Sequence, residues 1–130
     1  MANTEHYLGN PNLKAKGVNL DFTTEQVGEY LKCQQEPLYF IRKYVQIVHL
    51  DRGLVPFDLY DFQEDIVTKI HDNRFVICKL PRQSGKSTTT IAYLLHYVLF
   101  NSEMSVAILA NKQATARELL HRLKLAYEHL

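Results

Sequence analysis

The stretch "RFVICKLPRQSGKSTTT", residues 74–90, constrains the fold of this chain more than any other. Its first part, "RFVICKL", is almost continuously apolar, which predicts a strand buried on both faces. A short loop follows. Beyond it Ile91, Leu94, Leu95, Val98 and Leu99 recur at helical spacing, predicting a helix to about Phe100. Gly85-Lys86-Ser87 therefore stands where a buried strand passes through a loop into a helix. Backbone N–H groups at such a helix start bind phosphate.

Each residue type at this joint has a chemical reason. Gly85 lets backbone approach a phosphate with no side chain between. Lys86 can reach outer phosphates, and the Ser87 hydroxyl can ligate magnesium. The usual pattern also places a glycine five residues before the second one, and here that position is Leu80. Pro81 then removes an N–H donor. The cradle is expected to rest on Arg82, Gln83, Ser84, Gly85, Lys86 and Ser87, with Thr88 in the first helical turn. The plain alternative is a surface loop with a solvated lysine.

The pattern continues after the helix. "MSVAILA" predicts a second buried strand, and Ala116, Leu119, Leu120, Leu123 and Tyr127 predict a final helix. Strand, phosphate loop, helix, strand, helix is the α/β order with parallel strands. Two such strands cannot cover themselves, so an incomplete sheet of the P-loop NTPase kind is expected. Upstream, "VQIVHLDRGLVPFDL" predicts a β-hairpin turning at Asp51-Arg52-Gly53. Asp61 and Glu64 suit the start of a helix to about His71, with Phe62, Ile66 and Ile70 inward. Nearer the N-terminus, Thr23 and Gln26 resemble a capping box ahead of a Val27, Tyr30, Leu31 stripe. Pro37 can open a second helix with Phe40, Ile41, Tyr44 and Val45 inward. Residues 1–22 lack a period and read as an extended arm; residues 23–130 read as one domain.

Composition narrows the class. The chain has 130 residues, 46% of them hydrophobic and 22% charged, and a net charge of +1. That supports a real core but gives no bulk attraction to nucleic acid or an anionic membrane. Two cysteines and six histidines show no metal-ligand spacing. Cys78 reads as a small buried hydrophobe. The polar start does not suit a signal peptide, and "IAYLLHYVLF" falls short of the roughly 20 residues that span a bilayer. A cytoplasmic protein without membrane association is expected.

With these residues in view, "LPRQSGKSTTTIAYLLHYVLFNSEMSVAILANKQATARELLHRLKLAYEHL", preceded by "PFDLYDFQEDIV", resembles the start of the ATPase domain of the large terminase of tailed bacteriophages. The likeness runs from about Val45 to Leu130. That family's phosphate loop often lacks the first glycine and carries an arginine near its start, as Arg82 stands here. The resemblance implies ATP and Mg2+ as cofactors, with Lys86 on the outer phosphates and Ser87 on the metal. It implies Arg82 as the catalytic cis arginine that stabilises the transferring phosphoryl group. It implies Gln63 as the reader of adenine, with Tyr60 or Phe62 able to stack on the base. The implied partners are viral double-stranded DNA, the portal protein, the small terminase subunit and the rest of the motor chain. The implied setting is the host cell cytoplasm during assembly. Read from the residues alone, Arg82 also suits a solvated loop, Gln63 a helix's first turn and Phe62 the core.

The family's acidic strand end, its coupling motif and its nuclease domain have no match in this sequence. "IVHLD" mimics the acidic motif, but Asp51 precedes the phosphate loop and turn chemistry accounts for it. The resemblance thus implies an N-terminal part of a DNA-packaging ATPase that does not turn over ATP alone. Two other readings stay open. A fragment of a superfamily 2 helicase or restriction-type translocase also pairs an upstream glutamine with a phosphate loop. A non-catalytic module binding a free anion would need the loop alone.

Overall fold

The computed structural model describes residues 6–9, 14–19, 21–49 and 51–130. Among them are five α-helices and one two-stranded antiparallel sheet, so helix and strand are mixed. The chain divides into two compact units, Met1–Tyr30 and Leu31–Leu130.

In the first unit the described part of the expected arm holds a 3-10 turn at Tyr7–Gly9 and an isolated antiparallel bridge between His6 and Lys14. The remainder of that arm, residues 1–5, 10–13 and 20, lies outside the described residues. Helix α1 (Thr24–Gln35) starts in this unit and ends in the next. Its capping box forms as expected. The Thr23 N–H donates to Gln26 Oε1 at 2.9 Å, and the Gln26 N–H donates to Thr23 Oγ1 at 3.2 Å. These bonds satisfy a helix-start donor and hold the entry turn. Val27, Tyr30 and Leu31 share a face but stay exposed.

The second unit is built around α4 (Lys86–Phe100), against which α2 (Pro37–Tyr44), α3 (Asp61–Asp72) and α5 (Gln113–Glu128) pack. Pro37 opens α2, where its missing N–H costs nothing. Phe40, Ile41 and Val45 are buried as their spacing requires. They join Phe57, Leu59, Val67, Ala92, Tyr93 and Leu95 in the core. The hairpin pairs β1 (Gln46–His49) with β2 (Gly53–Pro56), with Ile47 opposite Val55 and His49 opposite Gly53. Gly53 has φ 70°, the left-handed conformation its turn needs. At the base of the hairpin, the Phe57 N–H donates to the Val45 carbonyl at 3.0 Å.

Two expectations are corrected here. The runs at residues 74–80 and 104–110, expected as buried parallel strands, carry no strand pairing among the described residues. Phe75, Ile77 and Leu109 are almost fully exposed, and Cys78 is exposed rather than buried. A doubly buried strand needs ladder partners at its edges and cover on both faces. Among the described residues neither run has a strand beside it. Their apolar composition is compatible with a sheet, and the described residues do not assemble one.

The second correction concerns α3. Its inward stripe is Gln63, Ile66, Val67 and Ile70, the i, i+3, i+4, i+7 set, rather than one starting at Phe62. Phe62 is 42% exposed. A polar glutamine takes the inward place at the helix start.

Candidate phosphate-binding site

Helix α4 begins at Lys86, with Gly85 as its N-cap at φ 73°. No side chain caps this end, and the first intrahelical bond runs from the Thr89 N–H to the Gly85 carbonyl at 2.9 Å. The N–H groups of Lys86, Ser87 and Thr88 lie ahead of that bond, so the helix itself offers them no acceptor. Together with the positive end of the helix dipole they favour an anion.

The loop before the helix is tightly wound. Gln83 has φ 63°, so two left-handed residues, Gln83 and Gly85, flank Ser84. Gln83 has no glycine freedom and is held there at a cost of order 1–3 kcal/mol. The loop around it carries a small polar network. The Ser84 hydroxyl donates to the Pro81 carbonyl at 3.0 Å, and the Lys86 ammonium donates to the same carbonyl at 3.2 Å. Pro81, which lacks an N–H, thus contributes an acceptor that two loop side chains share.

Gln63 reaches this network from α3. Its Oε1 accepts the Tyr60 N–H at 3.1 Å, and its Nε2 donates to the Ser84 carbonyl at 3.3 Å. The helix-start partner of α3 is therefore Gln63, not the expected Asp61 and Glu64 pair. Glu64 is instead in a salt bridge with Arg42 of α2. Gln63 is only 3% exposed. Beside it the rings of Tyr60 and Phe62 lie parallel, 5.9 Å between centroids, and both are exposed.

The residues expected at the site divide into groups. Lys86 and Ser87 line one cavity of about 350 Å³, with Cys78, Leu94, Ile108 and Leu109 among its apolar walls. Ser84 belongs to the loop network, Gly85 lies against Gln63, and Arg82 and Gln83 are exposed. Thr88 faces elsewhere, lining a cavity of about 490 Å³ with Ile47, Arg122 and Ala126. Among the described residues no group of three or more His, Cys, Asp or Glu is placed to hold a metal. The donors at the joint suit phosphate oxygens, while Ser87 offers a metal one neutral oxygen.

Sequence reasoning missed the Pro81 and Ser84 carbonyls, because every residue has one and only the fold selects which are used. It also missed His96, which is buried on α4 and contacts Phe40, Tyr93 and Phe100. Its Nε2 lies 2.9 Å from the Cys33 carbonyl of α1, and its Nδ1 has no hydrogen-bond partner. Burial pushes its pKa below the usual histidine value, with the Cys33 carbonyl opposing and His71 adding to the shift. Among the described residues no helix is long and apolar enough to cross a membrane. No family model matches the chain.

Proposed function

We propose that this chain is the N-terminal, nucleotide-gripping part of a large-terminase ATPase domain, the motor that packages viral double-stranded DNA into procapsids. One observation carries the reading. A tightly wound loop delivers an uncapped helix start, with Lys86 and Ser87 lining a single cavity. That is the donor set a polyphosphate calls for. The incomplete P-loop sheet belongs to the same reading. The exposed apolar runs at residues 74–80 and 104–110 have the composition of its strands, and Cys78 and Ile108 from them line the same cavity as Lys86 and Ser87.

Within this reading Lys86, Ser87 and the N–H groups at the start of α4 hold the phosphates of ATP, and Ser87 supplies one oxygen to magnesium. The nucleotide supplies the phosphoryl group whose transfer drives the motor. Arg82, exposed in the loop, is the cation for the transferring group. Viral DNA, the portal protein, the small terminase subunit and the rest of the motor chain are the proposed partners, in the host cell cytoplasm.

Calorimetric titration of the chain and of Lys86→Ala with ATP and magnesium tests the proposal. Binding by the first and its loss in the second is expected. Equal affinity would sink the assignment.

A second reading has one observation in its favour. Both ends of the Gln63 amide are bonded to backbone, which fits a module that binds phosphate without reading a base. Competition between ATP and GTP separates the two. Preference for ATP supports the motor reading, and equal binding supports the anion module.

A further inference from the structure

We infer that Gln63 is a positioning residue for the phosphate loop, acting on any bound polyphosphate whatever its base; this rests on the phosphate-binding reading above. The geometry is a continuous chain of bonds. From the start of α3, Gln63 Oε1 is anchored by the Tyr60 N–H, and its Nε2 holds the Ser84 carbonyl. The Ser84 hydroxyl then shares the Pro81 carbonyl with the Lys86 ammonium. Gln63 is thus tied through one residue to the acceptor that places Lys86.

Gly85 gives a second, independent sign. A Cβ built on Gly85 would lie 2.5 Å from Gln63 Nε2. The amide is packed directly against the left-handed corner from which α4 starts. It supports that corner by contact as well as by hydrogen bonding. Gln63 itself is 3% exposed, and both of its bonds are part-buried. Removing the amide leaves a backbone donor and a backbone acceptor unpaired at the two ends of the loop's support.

This role has a consequence that base reading does not share. A glutamine that recognises adenine affects only ligands that carry adenine. A glutamine that shapes the loop affects tripolyphosphate, GTP and ATP alike.

The test uses the whole chain, Gln63→Ala and Gln63→Met, with Lys86→Ala as the control. Each is titrated calorimetrically with the magnesium salts of ATP, GTP and inorganic tripolyphosphate. Gln63→Met fills the same buried volume, so it carries the test if Gln63→Ala does not fold. The expected result is a common loss of about fivefold or more for all three ligands, the factor of one ordinary hydrogen bond. The ligand-free variant should also show a displaced Gly85 amide resonance. A loss confined to ATP, with tripolyphosphate unchanged, overturns the inference and leaves the nucleotide site standing. Unchanged affinity for all three overturns it too. A wild-type chain that binds no tripolyphosphate, indistinguishable from Lys86→Ala, overturns the phosphate site and this inference together.

Discussion

At the residue scale, Gly85 is under two separate demands. Its φ of 73° is the left-handed region, and a Cβ there would meet Gln63 Nε2 at 2.5 Å. The first demand concerns the backbone alone, and a non-glycine residue held there costs of order 1–3 kcal/mol. The second concerns one neighbour and can be relieved by shortening it. Gly85→Ala is therefore expected to lower stability by at least the backbone cost, read as a shift in urea midpoint. Gly85→Ala combined with Gln63→Ala should relieve the clash, so the double variant should lose less than the sum of the two single losses while keeping the backbone cost. A Gly85→Ala chain as stable as the parent would show that the loop does not keep this corner. Gln83 illustrates the same strain at φ 63° without a glycine to absorb it.

At the scale of elements, α1 and α4 are joined through His96. Its ring is stacked on Tyr93 and tilted against Phe100, and its Nε2–H donates to the Cys33 carbonyl. Since Nδ1 makes no hydrogen bond and burial disfavours the charged ring, the neutral form is the one that fits. The folded pKa is depressed below the ordinary value of 6.5, chiefly by burial. An unfolded chain therefore takes up this proton first as pH falls. The stability that the neutral ring contributes is fully present above pH 6.5, and it is lost progressively as pH drops from there toward the lower folded pKa. Urea midpoints at pH 7.5 and pH 5.5 should differ in that direction. His96→Phe should shrink the difference. A midpoint that rises on acidification would contradict the assignment of a neutral buried ring.

At the scale of the whole molecule, the second unit holds the uncapped start of α4, and among the described residues the apolar runs at 74–80 and 104–110 pair with no strand. Phosphoryl transfer depends on positioning and on preorganised charge. No apolar run ending in Asp-Glu follows Ser87, so nothing in this sequence matches the group that would orient an attacking water. The runs that would brace the loop from either side expose Phe75, Ile77 and Leu109. We expect the chain to bind ATP without measurable turnover. Steady-state phosphate release from the purified chain, against Lys86→Ala as background, decides this. Release above that background would mean a carboxylate is already in place. Asp51, whose N–H meets His49 Nδ1 in the hairpin turn, would be the first to replace.

What the sequence determined by itself is what short-range chemistry encodes. The Thr23 and Gln26 box, the opening of α2 at Pro37, the turn at Gly53 and the α4 start at Gly85-Lys86 each depend on residues a few positions apart. Those segments form the elements their residue types predict. What only tertiary structure decided involves residues distant in sequence. Gln63 reads equally well as a helix-start residue or a base reader, and its bond to the Ser84 carbonyl 21 positions away shows it joined to the loop. The apolar runs at residues 74–80 and 104–110 encode a preference for burial between neighbours. A strand is completed only by another strand's N–H and C=O groups, and composition cannot supply those partners.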